Sequence, residues 1–307
     1  MPRSPSNLGD PDDAEALLRG AAEILVEDPR RRGAVVEVPA AGRLVAAGDL
    51  HDNPLHLSAL VDLARLEAPG SAGLVVHELI HGDRLVDGID LSHRIVLKVA
   101  DLVCRHPGRV LPLLANHEIA QVTGRGVSKG AGNSVELFAD GVHYVFGDEA
   151  ERIEEALNDF MRSMPLALRS AADERGRRAF CAHSLPTAAA LRSLDLGAIE
   201  RPLSPEAFQP GGLAYQFTWG RDLDPEHLER MASLLGVDLF LLGHQHAETG
   251  IELRPPNAVI LNSDHARGVA LPVDLGNLPD PEGAVMLAVP LSALIAPSAP
   301  DAPGERR

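Results

Sequence analysis

Five short polar clusters recur along the chain, each directly after an apolar run. Gly48-Asp49-Leu50-His51 follows residues 44–47, His81-Gly82-Asp83 follows 73–80, and Ala115-Asn116-His117-Glu118 follows 109–114. His183 follows 178–182, and Gly243-His244-Gln245-His246 follows 237–242. Carboxylate, carboxamide and imidazole are ligands for Zn, Fe and Mn. Asp49, His51, Asp83, Asn116, His183, His244 and His246 are too many for one ion. One shared carboxylate would divide them into two half-sites, each with room for water. Two ions held ~3.5–4 Å apart can clamp an in-line displacement at phosphorus and supply hydroxide at neutral pH.

The elements that must position these residues follow from the spacing of apolar residues. Strands are expected at 44–47, 73–80, 109–114, 178–182, 237–242, 250–254, 258–262 and 284–289, and helices at 54–66, 91–105, 149–163 and 225–235. Strand-helix alternation in the first half implies parallel pairing. The crowding of strands after 237 implies antiparallel pairing at the end. Loops at the carboxyl ends of strands gather in one crevice of such a sheet, which would bring the clusters together. "DDAEALLRGAAEILVE", residues 12–27, spaces leucine and alanine helically behind acidic starters. Residues 1–40 therefore read as an N-terminal helical extension, 41–294 as the catalytic domain, and 295–307 as a loose tail broken by prolines.

Composition bounds the partners. The chain has 307 residues, 45% hydrophobic and 23% charged, with a formal net charge of −16. That field repels nucleic acid and anionic membrane, and 3% aromatics leaves little surface for base stacking. Cys104 and Cys181 both sit in apolar stretches, so no disulfide framework is indicated and a cytoplasmic setting fits. The first residues lack an apolar core, so neither a signal peptide nor a membrane span is expected.

"GDLHDN", "HGDRLVDG", "ANHE", "CAHS" and "GHQH" together resemble the signature blocks of the calcineurin-like metallophosphoesterases. Within that superfamily the chain is most similar to the serine/threonine phosphoprotein phosphatases, over roughly residues 42–290. "HPGRVLPLLANHE", "FTWGRDLDPE" and "NAVILNSDHARG" carry further likeness. The resemblance implies an α/β fold, a sandwich of two mixed β-sheets flanked by helices, and two metal ions (Mn, Fe or Zn). It implies that Asp49, His51 and His246 bind the first ion, that Asp83 bridges, and that Asn116, His183 and His244 bind the second. His117 would be the general acid, with an acidic partner on Asp87. The substrate would be a phosphorylated one, a phosphoprotein or a small phosphate ester.

The likeness is broken at several positions. The family's second block reads Gly-Asp-x-x-Asp-Arg-Gly, whereas here Asp87 falls one place late and the arginine is missing. Arg84, Arg221 and Arg267 are the candidate replacements, because a guanidinium clamps phosphate bidentately. His265, beside Asp264, lies in the segment similar to the family's late active-site loop and is a further substrate-binding candidate. "HELIH", His77 to His81, matches the zinc-protease pattern His-Glu-x-x-His. That chemistry needs a helix, and a β-branched run bounded by glycines predicts a strand instead. His56, His93, His106, His143 and His227 have no acid at ligand spacing and read as surface or packing residues. The rival readings are a dinucleoside polyphosphate hydrolase or other small-molecule phosphatase, and a metal-binding pseudo-phosphatase.

Overall fold

The computed structural model describes residues 7–126, 128, 129 and 132–295. The tail expected at 295–307 lies outside the described residues after 295. In chain order the first elements are α1 (Pro11–Val26), β1 (Arg31–Arg32), β2 (Val35–Val38), β3 (Arg43–Asp49), α2 (Pro54–Ala64) and β4 (Ser71–His77). Then come α3 (His93–Arg105), β5 (Val110–Leu113), α4 (Asn116–Thr123), β6 (Ser128–Lys129), β7 (Gly132–Asn133), α5 (Ser134–Phe146) and α6 (Ala150–Ser163). They are followed by β8 (Ala167–Ser170), β9 (Ala179–Ala182), α7 (Leu213–Trp219), α8 (Pro225–Leu235) and β10 (Leu239–Leu242). The last are β11 (Ile251–Arg254), β12 (Ala258–Leu261), β13 (Val269–Asp274), α9 (Pro281–Leu287) and β14 (Val289–Pro290).

Two mixed sheets face one another, of order β1-β2-β8-β9-β10-β12-β11 and β14-β13-β3-β4-β5. Their central strands are uniformly apolar because both faces are covered. In β10, Leu239 and Leu241 point into the layer between the sheets with Leu44, Ala46, Val75, Leu111 and Cys181. The alternate residues Phe240 and Leu242 point the other way, into the core under the helices with Phe138, Phe160, Phe180 and Phe217. Each fully buried side chain of this size contributes roughly 1.5–3 kcal/mol. β3, β4 and β5 pair parallel, as do β9, β10 and β12, so their carboxyl ends point the same way. Antiparallel pairing joins β11 to β12 and β13 to β3 late in the chain, and also β8 to β9 inside the larger sheet.

Residues 11–38 join this body. Pro11 opens α1, and the Asp10 side chain accepts from the backbone N–H groups of Asp12 and Asp13. Its buried stripe Ala14, Leu17, Leu18, Ala21, Leu25 packs on α3 and α6, and Arg152 pairs with Asp12 and Glu15. β2 lies parallel beside β8 in the larger sheet. One expected strand is corrected: residues 281–287 are helix α9. The Asp280 side chain accepts from Gly283 N, and Pro281 takes the first helical position, so the capping signal overrides the apolar run. Strands β2, β8 and β13 were not expected, being short or interrupted by polar residues.

Candidate active site

The carboxyl ends of the parallel strands deliver a buried polar cluster. β3 ends at Asp49, and in the parallel register Asp49 lies opposite His77, the last residue of β4. β5 leads into Asn116, β9 into His183, and β10 into His244. Asp49, His77, Glu78, Asn116, His117, His183 and His244 are all buried. The chain turns sharply where it presents them. His51, Asp52, Glu78, His81 and His244 adopt positive φ of 42–65° without being glycine. Such conformations are costly and collect at functional sites. Gly243 makes room for the turn into His244, since a Cβ there would stand 2.3 Å from Asp49 Oδ1 and 2.4 Å from His77 Cε1.

Distances resolve two adjoining groups. Asn116 Oδ1 is 2.7 Å from His183 Nε2 and 3.0 Å from His244 Nδ1. Glu78 Oε2 is 3.5 Å from the same His183 Nε2 and 3.6 Å from His51 Nε2. The Glu78 carboxyl adjoins that of Asp49, and His244 N donates to Asp49 Oδ1 at 2.9 Å. Burial pushes the Asp49 carboxyl up to about 7. Burial lowers His183 well below the usual imidazole range, and burial with the nearby Arg221 charge lowers His244 to about 3. His183 and His244 are therefore neutral electron-pair donors, gathered beside the carboxyls of Asp49 and Glu78. A cation is the natural occupant of such a set.

Glu78, not Asp83, is the carboxylate at the centre. Asp83 is exposed, on the loop after β4. The strand stops at His77, opposite Asp49, so the next residue, Glu78, enters the cluster while Asp83 stands six residues beyond the strand's end. Asp87 is likewise exposed on a turn closed between Val86 and Ile89, far less buried than His117. The side chains set against His117 are Glu78 (Oε1 to Nε2, 3.5 Å), His51 (ring centres 5.1 Å apart) and His81 (5.5 Å). His81 in turn meets Asp90 (Nδ1 to Oδ2, 3.0 Å). Burial alone would raise the Asp90 carboxyl, but the hydrogen bonds from His81 and Ser92 bring it down. His246 is exposed, its ring 5.4 Å from that of His265.

A cleft of 520 Å³ opens beside His51, lined also by Asp52, Asp83, Arg84, Asp264 and His265. Arg84 is held by Asp52 (Nη2 to Oδ2, 3.0 Å). Arg221 lies over the cluster and reaches the His244 carbonyl at 3.4 Å, while exposed Arg267 pairs with Glu248. Sequence reasoning passed over two buried acids with structural duties. Glu118 Oε1 accepts from Leu79 N at 2.7 Å and pins the loop that carries Glu78. Its carboxyl is pushed up to about 7 by burial. Asp52 anchors Arg84.

The model of the calcineurin-like phosphoesterase family matches residues 42–248. The chain belongs to the calcineurin-like phosphoesterase family. It is a phosphoric ester hydrolase of the metallophosphoesterase class, and its substrate is phosphorylated. A protein serine/threonine phosphatase from Saccharomyces cerevisiae has a similar structure, with a TM-score of 0.62 at 15% identity over 86% of this chain and 82% of that one. A cold-active protein-tyrosine phosphatase of a Shewanella species is also similar, with a TM-score of 0.57 at 14% identity over 83% and 80%. No curated protein matches the chain significantly. Among the described residues, no helix is long and apolar enough to cross a membrane.

Proposed function

We propose that this phosphoesterase removes phosphate from phosphorylated protein side chains at a dinuclear metal centre. Asp49, His51 and Glu78 would hold one ion, and Glu78, Asn116, His183 and His244 the other, with Glu78 shared. The observation that carries the reading is the meeting of Asn116 Oδ1 with His183 Nε2 and His244 Nδ1 at 2.7 and 3.0 Å, one carboxylate away from His51. When bound, Mn, Fe or Zn would polarise the phosphoryl oxygens and supply hydroxide at neutral pH. His117 gives a proton to the leaving oxygen, with His81 and Asp90 packed behind it. Arg84, which lines the cleft, and Arg221, which reaches the His244 carbonyl, take charge that develops on the phosphoryl group. Asp264 and His265 line the side of the cleft where the rest of the substrate would lie.

Two features favour a phosphoprotein over a dinucleoside polyphosphate. The cleft wall carries the carboxylates of Asp52, Asp83 and Asp264 against the single guanidinium of Arg84, which disfavours a run of phosphates. The two solved structures described above are both protein phosphatases by name. The free, buried thiols of Cys104 and Cys181 suit a reducing cytoplasm. The test is hydrolysis of phosphoserine, phosphothreonine and phosphotyrosine peptides and of diadenosine tetraphosphate, each with Mn and with chelator. Metal-dependent turnover of a phosphopeptide is expected. Preference for the nucleotide would overturn the substrate class. Two bound ions without any turnover would make the chain a pseudo-phosphatase.

A further inference from the structure

We infer that a second cavity, between α3, α5 and the residues before α1, binds a small hydroxy acid: an apolar body with a carboxylate at one end and a hydroxyl at the other. The inference does not depend on the metal centre. The cavity has a volume of 300 Å³, near the lower end for small-molecule sites. Leu8, Leu97 and Val145 give it apolar walls. His93 also lines it, and exposed Arg94 and Lys98 form its rim. Helical spacing explains the arrangement. His93 and Leu97 stand one turn apart on the buried face of α3, and Arg94 and Lys98 repeat that step one residue on, where the helix meets solvent.

His93 is the residue that points to a ligand. It is completely buried, with the rings of Phe138 and Phe146 edge-on to its own at 6.2 and 5.9 Å. Among the described residues neither of its ring nitrogens has a hydrogen-bond partner. Two other buried helical histidines are served differently: His56 Nδ1 meets the Ser263 carbonyl at 2.6 Å, and His227 Nε2 meets the Pro186 carbonyl at 2.8 Å. A ring with both nitrogens unpaired in a closed place costs free energy that a polar group in the cavity would recover. A hydroxyl both donates and accepts, so it suits the ring edge in either tautomer. The rim calls for the opposite chemistry. Arg94 and Lys98 form no salt bridge among the described residues. Asp90 and Asp52, whose charges reach His93 and Lys98, are already bonded to His81 and Arg84. Two cations over an apolar space suit a carboxylate, whereas a phosphate would bring more acceptors than the cavity has donors.

Calorimetric titration of the full chain with ω-hydroxyoctanoate tests the site, in the presence of chelator so that no metal competes for the carboxylate. Octanoate, which lacks the hydroxyl, and the corresponding octane diol, which lacks the carboxylate, are titrated beside it. The hydroxy acid should bind about tenfold more tightly than either analogue, roughly the worth of one hydrogen bond or of a pair of exposed charge contacts. His93→Phe keeps a ring in place and should erase the difference between the hydroxy acid and octanoate. Arg94→Gln combined with Lys98→Gln should weaken both acids equally and leave the diol unchanged. ¹H–¹⁵N spectra of the histidine-labelled chain locate the ligand, and the His93 ring signals should move on binding. Absence of binding, a hydroxy acid held no more tightly than octanoate, or shifts at His51, His183 or His244 with His93 unmoved would overturn the inference. If His93→Phe does not fold, the analogue series and the spectra of the unaltered chain decide alone.

Discussion

Replacing Glu78 by glutamine, with Asp83→Asn as its partner experiment, asks which carboxylate serves both metals. Glu78 is buried, and its oxygens lie 3.5–3.6 Å from ring nitrogens of His51, His117 and His183. Glutamine preserves the shape and removes one negative charge. A unit charge pair 4 Å apart at an effective dielectric of 20 is worth about 4 kcal/mol. A bridging carboxylate stands closer than that to two multivalent ions, and part of its interaction is returned as hydration when the ions leave. A loss of about 4 kcal/mol corresponds to roughly a thousandfold weaker metal binding. Asp83 is exposed, so its charge acts through water and is screened by salt; Asp83→Asn should change affinity less than about threefold. Both numbers come from chelator competition and from metal content after dialysis, with circular dichroism to establish that each variant is folded. Loss of metal from Asp83→Asn with retention in Glu78→Gln would refute the placement of Glu78.

Three further outcomes follow from the geometry. His117→Asn should lower kcat by about 10²–10⁴-fold, the usual worth of a general acid, while metal content stays at the level of the unaltered chain; steady-state kinetics beside elemental analysis separates the two. Gly243→Ala drives a Cβ to 2.3 Å from Asp49 Oδ1 and should cost roughly 1–3 kcal/mol of stability along with metal retention, seen by denaturant titration and metal analysis. Metal binding should weaken about tenfold per pH unit below about 7, because Asp49, raised from 3.8 to about 7 by burial, must give up a proton to bind. The same raised value means that Asp49 stabilises the metal-free fold fully below 3.8 and ceases to do so as pH rises through 7. The rise in Tm on adding metal should therefore grow with pH across that value, which a pH series of thermal melts checks.

Most of the site could be read from the sequence because strand ends carry it. Asp49, His51, Asn116, His183 and His244 each follow an apolar run directly, and the structure brings all of them into one cluster. Asp83 misled because Gly82-Asp83 reproduces a motif dipeptide, while the run 73–80 was expected to stay extended to its end. The strand instead stops at His77, and Glu78 leaves it with a φ of 51°. A register argument would have found the difference. Asp49 is the last residue of its strand, and its parallel neighbour is His77, so the carboxylate nearest to it comes one residue later and not six. "HELIH" was thus rightly taken off a helix, yet His77, Glu78 and His81 all lie in or against the buried cluster. His246 misled by motif spacing alone: the turn at His244 sends it outward to His265. The roles of Glu118 and Asp90 depend on contacts with loops distant in sequence or on a turn, which periodicity does not encode.

The presence of two metals around one glutamate is tested most directly by anomalous diffraction from crystals of the full chain grown with Mn or Zn, recorded at the absorption edge. Two peaks ~3.5–4 Å apart are expected, one among Asp49, His51 and Glu78, the other among Glu78, Asn116, His183 and His244. A single peak, or density centred on Asp83 or His246 with Glu78 uncoordinated, would contradict it.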